Sequence, residues 1–444
     1  MREALKNPDT FPATAQDRFD YFIGLLSSDP QISMVLFFDE PLDPSLLEKA
    51  YEITLRLEPV LSCNFIDDEM PYWVKAEGDA MQCGFQYEEC ADSEVLRKAH
   101  DYITRPGDRK TAPMVHVKLF RSSRDVLCIR ISHLCSDAGG LKEYAALLSS
   151  VYSRLEQSPD PKAAEGQILE EYRPGFRDQA PLFSALGITD LSTAIAFNQD
   201  DGKYLMKFQV NPLANNTPKL ALRRIDKNKM EKIKRKCKEY GATVNDALCA
   251  AFFRTTLKED VFLKPGTENR GAITVTVDLR RYLPKQTTGS ICNFSGSEVL
   301  AIDLQAGEPF EATLMKVKTG MDKIKSKRPG VSSAAYMELI ARGPLSEARE
   351  IILKQKESLS PGVNPVMPYL SNMGVISEAG LRFGKGEAFD GYLVAPINYA
   401  PFFCLGASTY KGTLTLSFGY YVPAFSETDV DRFMDGMAGE LEGV

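Results

Sequence analysis

Residues 125–140 read DVLCIRISHLCSDAGG, and residues 141–155 continue LKEYAALLSSVYSRL. Asp125–Ser132 is rich in β-branched and aliphatic residues, which predicts a strand. Leu127, Ile129 and Ile131 alternate onto one face, and His133 follows them at the strand end. The pattern then breaks into LCSDAGG, and Leu141, Ala145, Leu148, Val151 and Leu155 recur at helical spacing, predicting a helix over about 140–155. A strand running through a glycine-containing turn into a helix is where α/β proteins place reactive side chains. Glycine there lets the backbone pass close to a ligand. Asp137 stands four residues after His133, giving His-x-x-x-Asp. That spacing alone is a weak signal, and a helix N-cap is the plain alternative for Asp137.

Working outward, the same α and β alternation continues. QISMVLFFD, 31–39, reads as a strand, and Asp43-Pro44-Ser45 opens a helix with Asp43 as cap and Pro44 in the first turn. SCNFID and PYWVKA form the arms of a hairpin, residues 92–104 a helix, and PMVHVKLFR a strand. Residues 156–182, EQSPDPKAAEGQILEEYRPGFRDQAPL, are rich in Pro, Gly, Ala and charge and read as the linker between two lobes, 1–182 and 183–444. A chain of 444 residues is long enough to need two cores. In the second lobe KLALRRID is a strand, 228–240 a basic helix, and Thr243 caps the apolar helix VNDALCAAFFRTTL. GAITVTVDL has the continuous β-branched character of a strand buried on both faces. Two helices are expected over 307–358, a strand with a polar break at MPYLSNMGVI, a hairpin turning at Lys411-Gly412, and a last helix over 426–441.

Composition narrows the function classes. Hydrophobic residues make up 44% and charged residues 25%, ordinary for a globular protein. The net charge of −7 argues against a nucleic-acid partner, which needs a basic face. No apolar run approaches the roughly 18 residues of a membrane span. MREALKNPDTFPATAQD lacks the apolar core of a secretory signal. The nine cysteines are odd in number, scattered and never paired as CxxC. They predict buried thiols in a reducing cytoplasm, with no metal site and no disulfide frame, so the sequons at Asn215 and Asn293 carry no meaning.

Of three histidines, His100 reads as a partly exposed helix residue and His116, mid-strand, as a packing or edge residue. GLRFGKG is too short for a P-loop and lacks its Ser/Thr, and GxSxG and HExxH are missing from the sequence. Two basic stretches, DKNKMEKIKRKCKEY and KVKTGMDKIKSKR, read as solvated faces, with a phosphate clamp as the alternative.

Strand, then SHLCSDAGG, then amphipathic helix resembles the HxxxD signature of the CoA-dependent acyltransferase superfamily. That group includes chloramphenicol acetyltransferase, plant BAHD enzymes, alcohol O-acetyltransferases, polyketide-associated acyltransferases and nonribosomal condensation domains. TFPATAQDRFDYF, LDPSLLEKAYE and PVLSCNF resemble its opening; TVNDALCAAF its second-lobe helix; VTVDLRRYLP with ICNFSGS its D-x-R strand; PYLSNMGVI its S-N-x-G strand; and STYKGTLTLSFGYYVPAFSETDVDRF its closing hairpin and helix. The landmarks keep the family's order over nearly the whole chain. Ser132 stands where condensation domains carry a second histidine, and Ala138 where BAHD enzymes carry glycine. The sequence is therefore most similar to stand-alone alcohol acetyltransferase-like or polyketide-associated members.

The resemblance implies an α/β, two-lobed chloramphenicol acetyltransferase-like fold, each lobe a mixed β-sheet with flanking helices and an active-site tunnel between them. It implies transfer of an acetyl or other small to medium acyl group from acyl-CoA, a co-substrate rather than a bound cofactor, to an alcohol or amine. His133 would be the general base, a role that suits imidazole because its ordinary pKa is near 6.5. Asp137 would hold the turn by pairing with Arg280, or with Arg281 as the alternative, and Asn372 and Ser371 would be oxyanion donors. The rivals are a donor carried on an acyl carrier protein and a non-catalytic ligand-binding relative, the latter suggested by the DAGG variant.

Overall fold

Asp125–Ser132 is buried along all eight residues because it lies inside a six-stranded sheet. It pairs antiparallel with Gln31–Phe38 on one side and Val115–Arg121 on the other. Gly386–Val394 and Arg382–Phe383 extend the sheet at one end and Phe85–Glu89 at the other. Leu127, Ile129 and Ile131 join Leu47, Ala50 and Ile53 of helix Pro44–Leu57 and Leu141, Ala145 and Leu148 of helix Ala138–Gln157 in one core. Val126 and Cys128 face the opposite way, onto Val95, Ala99 and Ile103 of helix Asp92–Thr104. Strand alternation thus assigns each face its own helices. Each fully buried Leu or Ile contributes about 1.5–3 kcal/mol. The computed structural model describes residues 9–26, 31–77, 83–108, 110–195, 206–258, 270–357 and 361–443. Residues 1–8 of the stretch MREALKNPDTFPATAQD and the last residue of 307–358 lie outside the described residues.

The second sheet also has six strands, in the order Ser295–Asp303, Arg270–Asp278, Tyr369–Val375, Cys404–Tyr410, Thr413–Pro423, Asn215–Ile225. Tyr369–Val375 runs parallel to both of its neighbours. Helices Val244–Lys258, Phe310–Lys325 and Glu427–Glu442 bury Phe252, Leu314 and Phe433 against this sheet. Local chemistry sets the element ends. Asp43 Oδ1 accepts from the Ser45 and Leu46 amides at 2.9 and 3.1 Å. Thr243 and Asp246 exchange side-chain-to-backbone bonds at the start of the next capped helix. Lys411 (φ 46°) and Gly412 (φ 86°) are both left-handed, as a tight two-residue hairpin turn requires.

Three expectations need correction. Residues 156–182 are not a loose tether: they contain helix Pro161–Glu171, capped by Asp160 and anchored by buried Ala164 and Ile168. The helical stretch 307–358 is three helices, Phe310–Lys325, Val331–Ile340 and Leu345–Glu357, because Gly330 (φ 82°) and the Gly343-Pro344 pair interrupt it. The lobes also do not divide between residues 182 and 183. That cut falls inside helix Ala180–Ala185, and Arg382–Val394 crosses back to complete the first sheet. Among the described residues no helix is long and apolar enough to cross a membrane, and no group of three or more His, Cys, Asp and Glu could hold a metal ion.

Candidate active site

The strand ends at Ser132, and the chain turns sharply through Leu134, Cys135 and Ser136, none of which is exposed. His133 is the side chain in this turn that keeps access to solvent, with 23% of its surface exposed. Its Nδ1 lies 3.1 Å from Oδ1 of Asn293, and Asn293 Nδ2 donates to the His133 carbonyl at 2.7 Å. The second bond fixes the first. With Nδ2 committed as donor, Oδ1 is the acceptor, so the proton of the neutral ring sits on Nδ1. Nε2 therefore holds the lone pair, as a general base needs.

Asp137 fills both roles considered for it. Oδ1 caps helix Ala138–Gln157 by accepting from the Gly140 amide at 2.7 Å. Oδ2 accepts from Arg280 Nη1 at 2.9 Å and from the Phe294 amide at 2.8 Å. Burial by itself would raise this carboxyl, but the Arg280 guanidinium and the two backbone donors hold it below its ordinary value. Arg280 is 3% exposed and also donates to the Cys292 carbonyl at 3.0 Å, whereas Arg281 is exposed and does not meet Asp137. The DAGG spelling follows from sterics. A Cβ on Gly139 would lie 2.5 Å from Arg280 Nη1, and one on Gly140 would lie 2.4 Å from Ser136 Oγ. Ala138 is half-buried and packs on the first core, so a methyl group fits there.

The segment 287–294 reaches from the second half of the chain and locks this turn. Besides Asn293 and the Phe294 amide, it places Ser290 Oγ and the Ile291 amide on buried Glu58 at 2.8 and 3.2 Å. Arg177 donates to the Ile291 carbonyl at 3.1 Å and clamps Asp17 at 2.8 and 3.2 Å. A second carboxyl, Asp20, lies on the same helix as Asp17, Ala15–Leu26, with Oδ2 4.0 Å from His133 Nδ1.

Ser371 and Asn372 sit on Tyr369–Val375, where the strand bulges and Gly374 turns left-handed. Asn372 Nδ2 donates to Asn245 Oδ1 at 3.2 Å and its Oδ1 accepts from the Gly374 amide at 3.1 Å. Ser371 Oγ lies 3.3 Å from Thr276 Oγ1. Neither hydrogen-bonds to His133. His100 Nε2 lies 2.9 Å from the Tyr392 hydroxyl. His116 is half-buried and paired with Arg130 of the neighbouring strand; burial, then the Arg130 charge, push its imidazole down to about 4.

A cleft of about 280 Å³ separates the start of helix Ala138–Gln157 from the second half of the chain, with Gly139, Lys142, Asp278, Arg280 and Ser377 on its walls. His133 is not on its wall, and Lys142 Nζ donates into it toward the Met373 carbonyl at 3.0 Å. A larger cleft, about 480 Å³, lies between helices Val244–Lys258 and Glu427–Glu442 and contains no histidine. Its cations Arg254 and Lys258 both close on Glu440, so we attach no chemistry to it. In the basic helix, Lys229, Lys234 and Lys236 pair with Glu442, Glu231 and Glu311.

Sequence reasoning missed Asn293, which it passed over as a meaningless sequon, and Asp20. The available signal for Asp20 was two acidic residues three apart, Asp17 and Asp20, on a helix whose second half is apolar.

No protein-family model and no curated protein matches the sequence. Solved structures do. The first condensation domain of the calcium-dependent antibiotic synthetase superposes with a TM-score of 0.68 at 14% identity, covering 98% of this chain and 97% of that one. The trichothecene 15-O-acetyltransferase from Fusarium sporotrichioides gives 0.68 at 13% identity, covering 98% and 94%. Polyketide synthase associated protein 5 from Mycobacterium tuberculosis gives 0.62 at 14% identity, covering 97% and 99%. Over nearly its full length, this chain has the two-lobed fold that these three proteins share.

Proposed function

We propose that the protein is an acyltransferase that moves an acyl group from the thioester of acyl-CoA to a small alcohol or amine. The observation that carries this reading is the His133 ring, held by Asn293 with its proton on Nδ1 and its lone pair on Nε2. The acceptor's hydroxyl or amine attacks the thioester carbonyl while Nε2 takes the acceptor proton. The new carbon–oxygen or carbon–nitrogen bond forms, the carbon–sulfur bond breaks, and the proton passes from Nε2 to the departing thiolate. Asp137 and Arg280 hold the turn that carries the ring, and removing Arg280 would leave the buried Asp137 carboxylate without its cation. Ser371 and Asn372 are proposed as oxyanion donors. Asn372 Nδ2 spends one of its two hydrogens on Asn245, which leaves one for substrate.

A thiol-release screen of acyl-CoA donors against pooled alcohols and amines tests the reading, and His133→Ala is expected to lower turnover by about 10²–10⁴-fold. Retained turnover in that variant would remove His133 as base. The likeness to a condensation domain favours a second reading, in which the donor is an acyl chain on a carrier protein. Turnover with acyl-carrier but not with acyl-CoA would select it. Absence of thiol release with every donor would leave a ligand-binding relative.

A further inference from the structure

Asp20 is 7% exposed, and among the described residues its one side-chain hydrogen bond is a long one, from Gln16 Nε2 at 3.4 Å. Gln16 is itself oriented by Gln179, whose Nε2 donates to Gln16 Oε1 at 2.8 Å. Among the described residues no lysine or arginine pairs with Asp20. The nearby charges are spent elsewhere: Asp17 on Arg177, and Asp137 on Arg280. From the facing strand the Tyr369 hydroxyl adds no cation. The group left to answer the Asp20 carboxylate is the His133 ring, 4.0 Å away on its Nδ1 edge.

We propose that Asp20 is a positioning residue for acyl transfer, whose carboxylate stabilises the imidazolium that His133 becomes on taking the acceptor proton. The proposal rests on His133 being the base. Asp20 does not touch substrate, because the chemistry proceeds at Nε2 and Asp20 lies beside Nδ1. The proton moves from acceptor to Nε2 and on to the thiolate. Asp20 neither gains nor loses one during the cycle, so the pair passes from net −1 to net 0 instead of from 0 to +1. Loss of a buried counter-charge at this distance weakens the base directly.

The same surroundings give the effect a pH signature. Burial pushes the Asp20 carboxyl up to about 7; the Asp17 and Asp137 charges add to the rise, while His133 and Gln16 oppose it. Below that pH the carboxyl takes a proton and its support of the imidazolium disappears.

Asp20→Asn keeps the shape and removes the charge. The expected result is a fall in kcat of about tenfold or more, with KM for donor and acceptor within about twofold and the acid limb of the kcat profile moved about one unit lower. Asp20→Glu is expected to recover part of the loss. Unchanged kcat and pH limb, or a loss that follows a falling Tm and is not rescued by Asp20→Glu, would overturn the proposal. His133→Ala run alongside separates the failures. If it keeps turnover, the base assignment fails; if it is inactive while Asp20→Asn behaves as wild type, only the role of Asp20 fails. A measurement independent of turnover is available because the chain has three histidines. The NMR imidazole signal missing from His133→Ala identifies that ring. Its chemical shifts at fixed pH are expected to change in Asp20→Asn, and unchanged shifts would overturn the proposal.

Discussion

Asp17 and Asp20 lie one turn apart on helix Ala15–Leu26 and are both buried, yet their surroundings are opposite. Asp17 accepts two bonds from Arg177, one from Trp73 Nε1 at 2.8 Å and one from the Thr14 amide at 3.0 Å. Asp20 has one long bond from Gln16 and a histidine 4.0 Å away. A buried carboxylate with all its acceptor positions used is part of the scaffold, because partners have replaced the water it lost. One left short of partners keeps an unmet demand for positive charge, and a reaction can answer that demand transiently. Asp137 belongs with Asp17, and Asp20 stands apart.

The largest expected effect at a fixed pH attacks the satisfied member. Asp17→Ala leaves Arg177, largely but not fully buried, without its counter-charge and should lower stability by about 3 kcal/mol in urea unfolding. A loss below about 1 kcal/mol would erase the contrast with Asp20. The next effect is a pH dependence. The Asp20 carboxyl is raised from an ordinary value of 3.8 to about 7 in the fold, so between these limits the folded state binds more protons than the unfolded state. Its contribution to stability is complete below about 4 and declines as pH rises to about 7, by up to roughly 4 kcal/mol. Asp20→Asn should flatten this part of the stability–pH curve, and equal slopes in the two proteins would refute the assignment. The smallest effect probes Asp137 through its neighbour. Gly139→Ala forces a methyl group between Arg280 Nη1 and Asp137 Oδ1, at 2.5 and 3.1 Å, and should lower stability by about 1–3 kcal/mol while reducing turnover. A variant with normal Tm and turnover would show that the pair yields easily.

The legible parts of the molecule were those in which neighbours in sequence are neighbours in space. Strand Asp125–Ser132, the Asp43 cap, the Lys411-Gly412 turn and the spacing from His133 to Asp137 all follow from local periodicity and turn chemistry. Two helices were expected over 307–358, and Pro329-Gly330 and Gly343-Pro344 are the local marks of its two breaks. Asn293 carried no such local mark, and the Asp17–Asp20 spacing did not say that His133 would stand beside it. Asn293 lies 160 positions from the histidine it orients.

Order along the chain was enough to establish the alternation of strands and helices, the site of the turn and the histidine that stands in it. It contained no information on which face of helix Ala15–Leu26 would meet His133, or on the return of Arg382–Val394 to the first sheet. Those were settled by folding, because burial and charge pairing act across distance in space and bring together groups that no sequence interval connects.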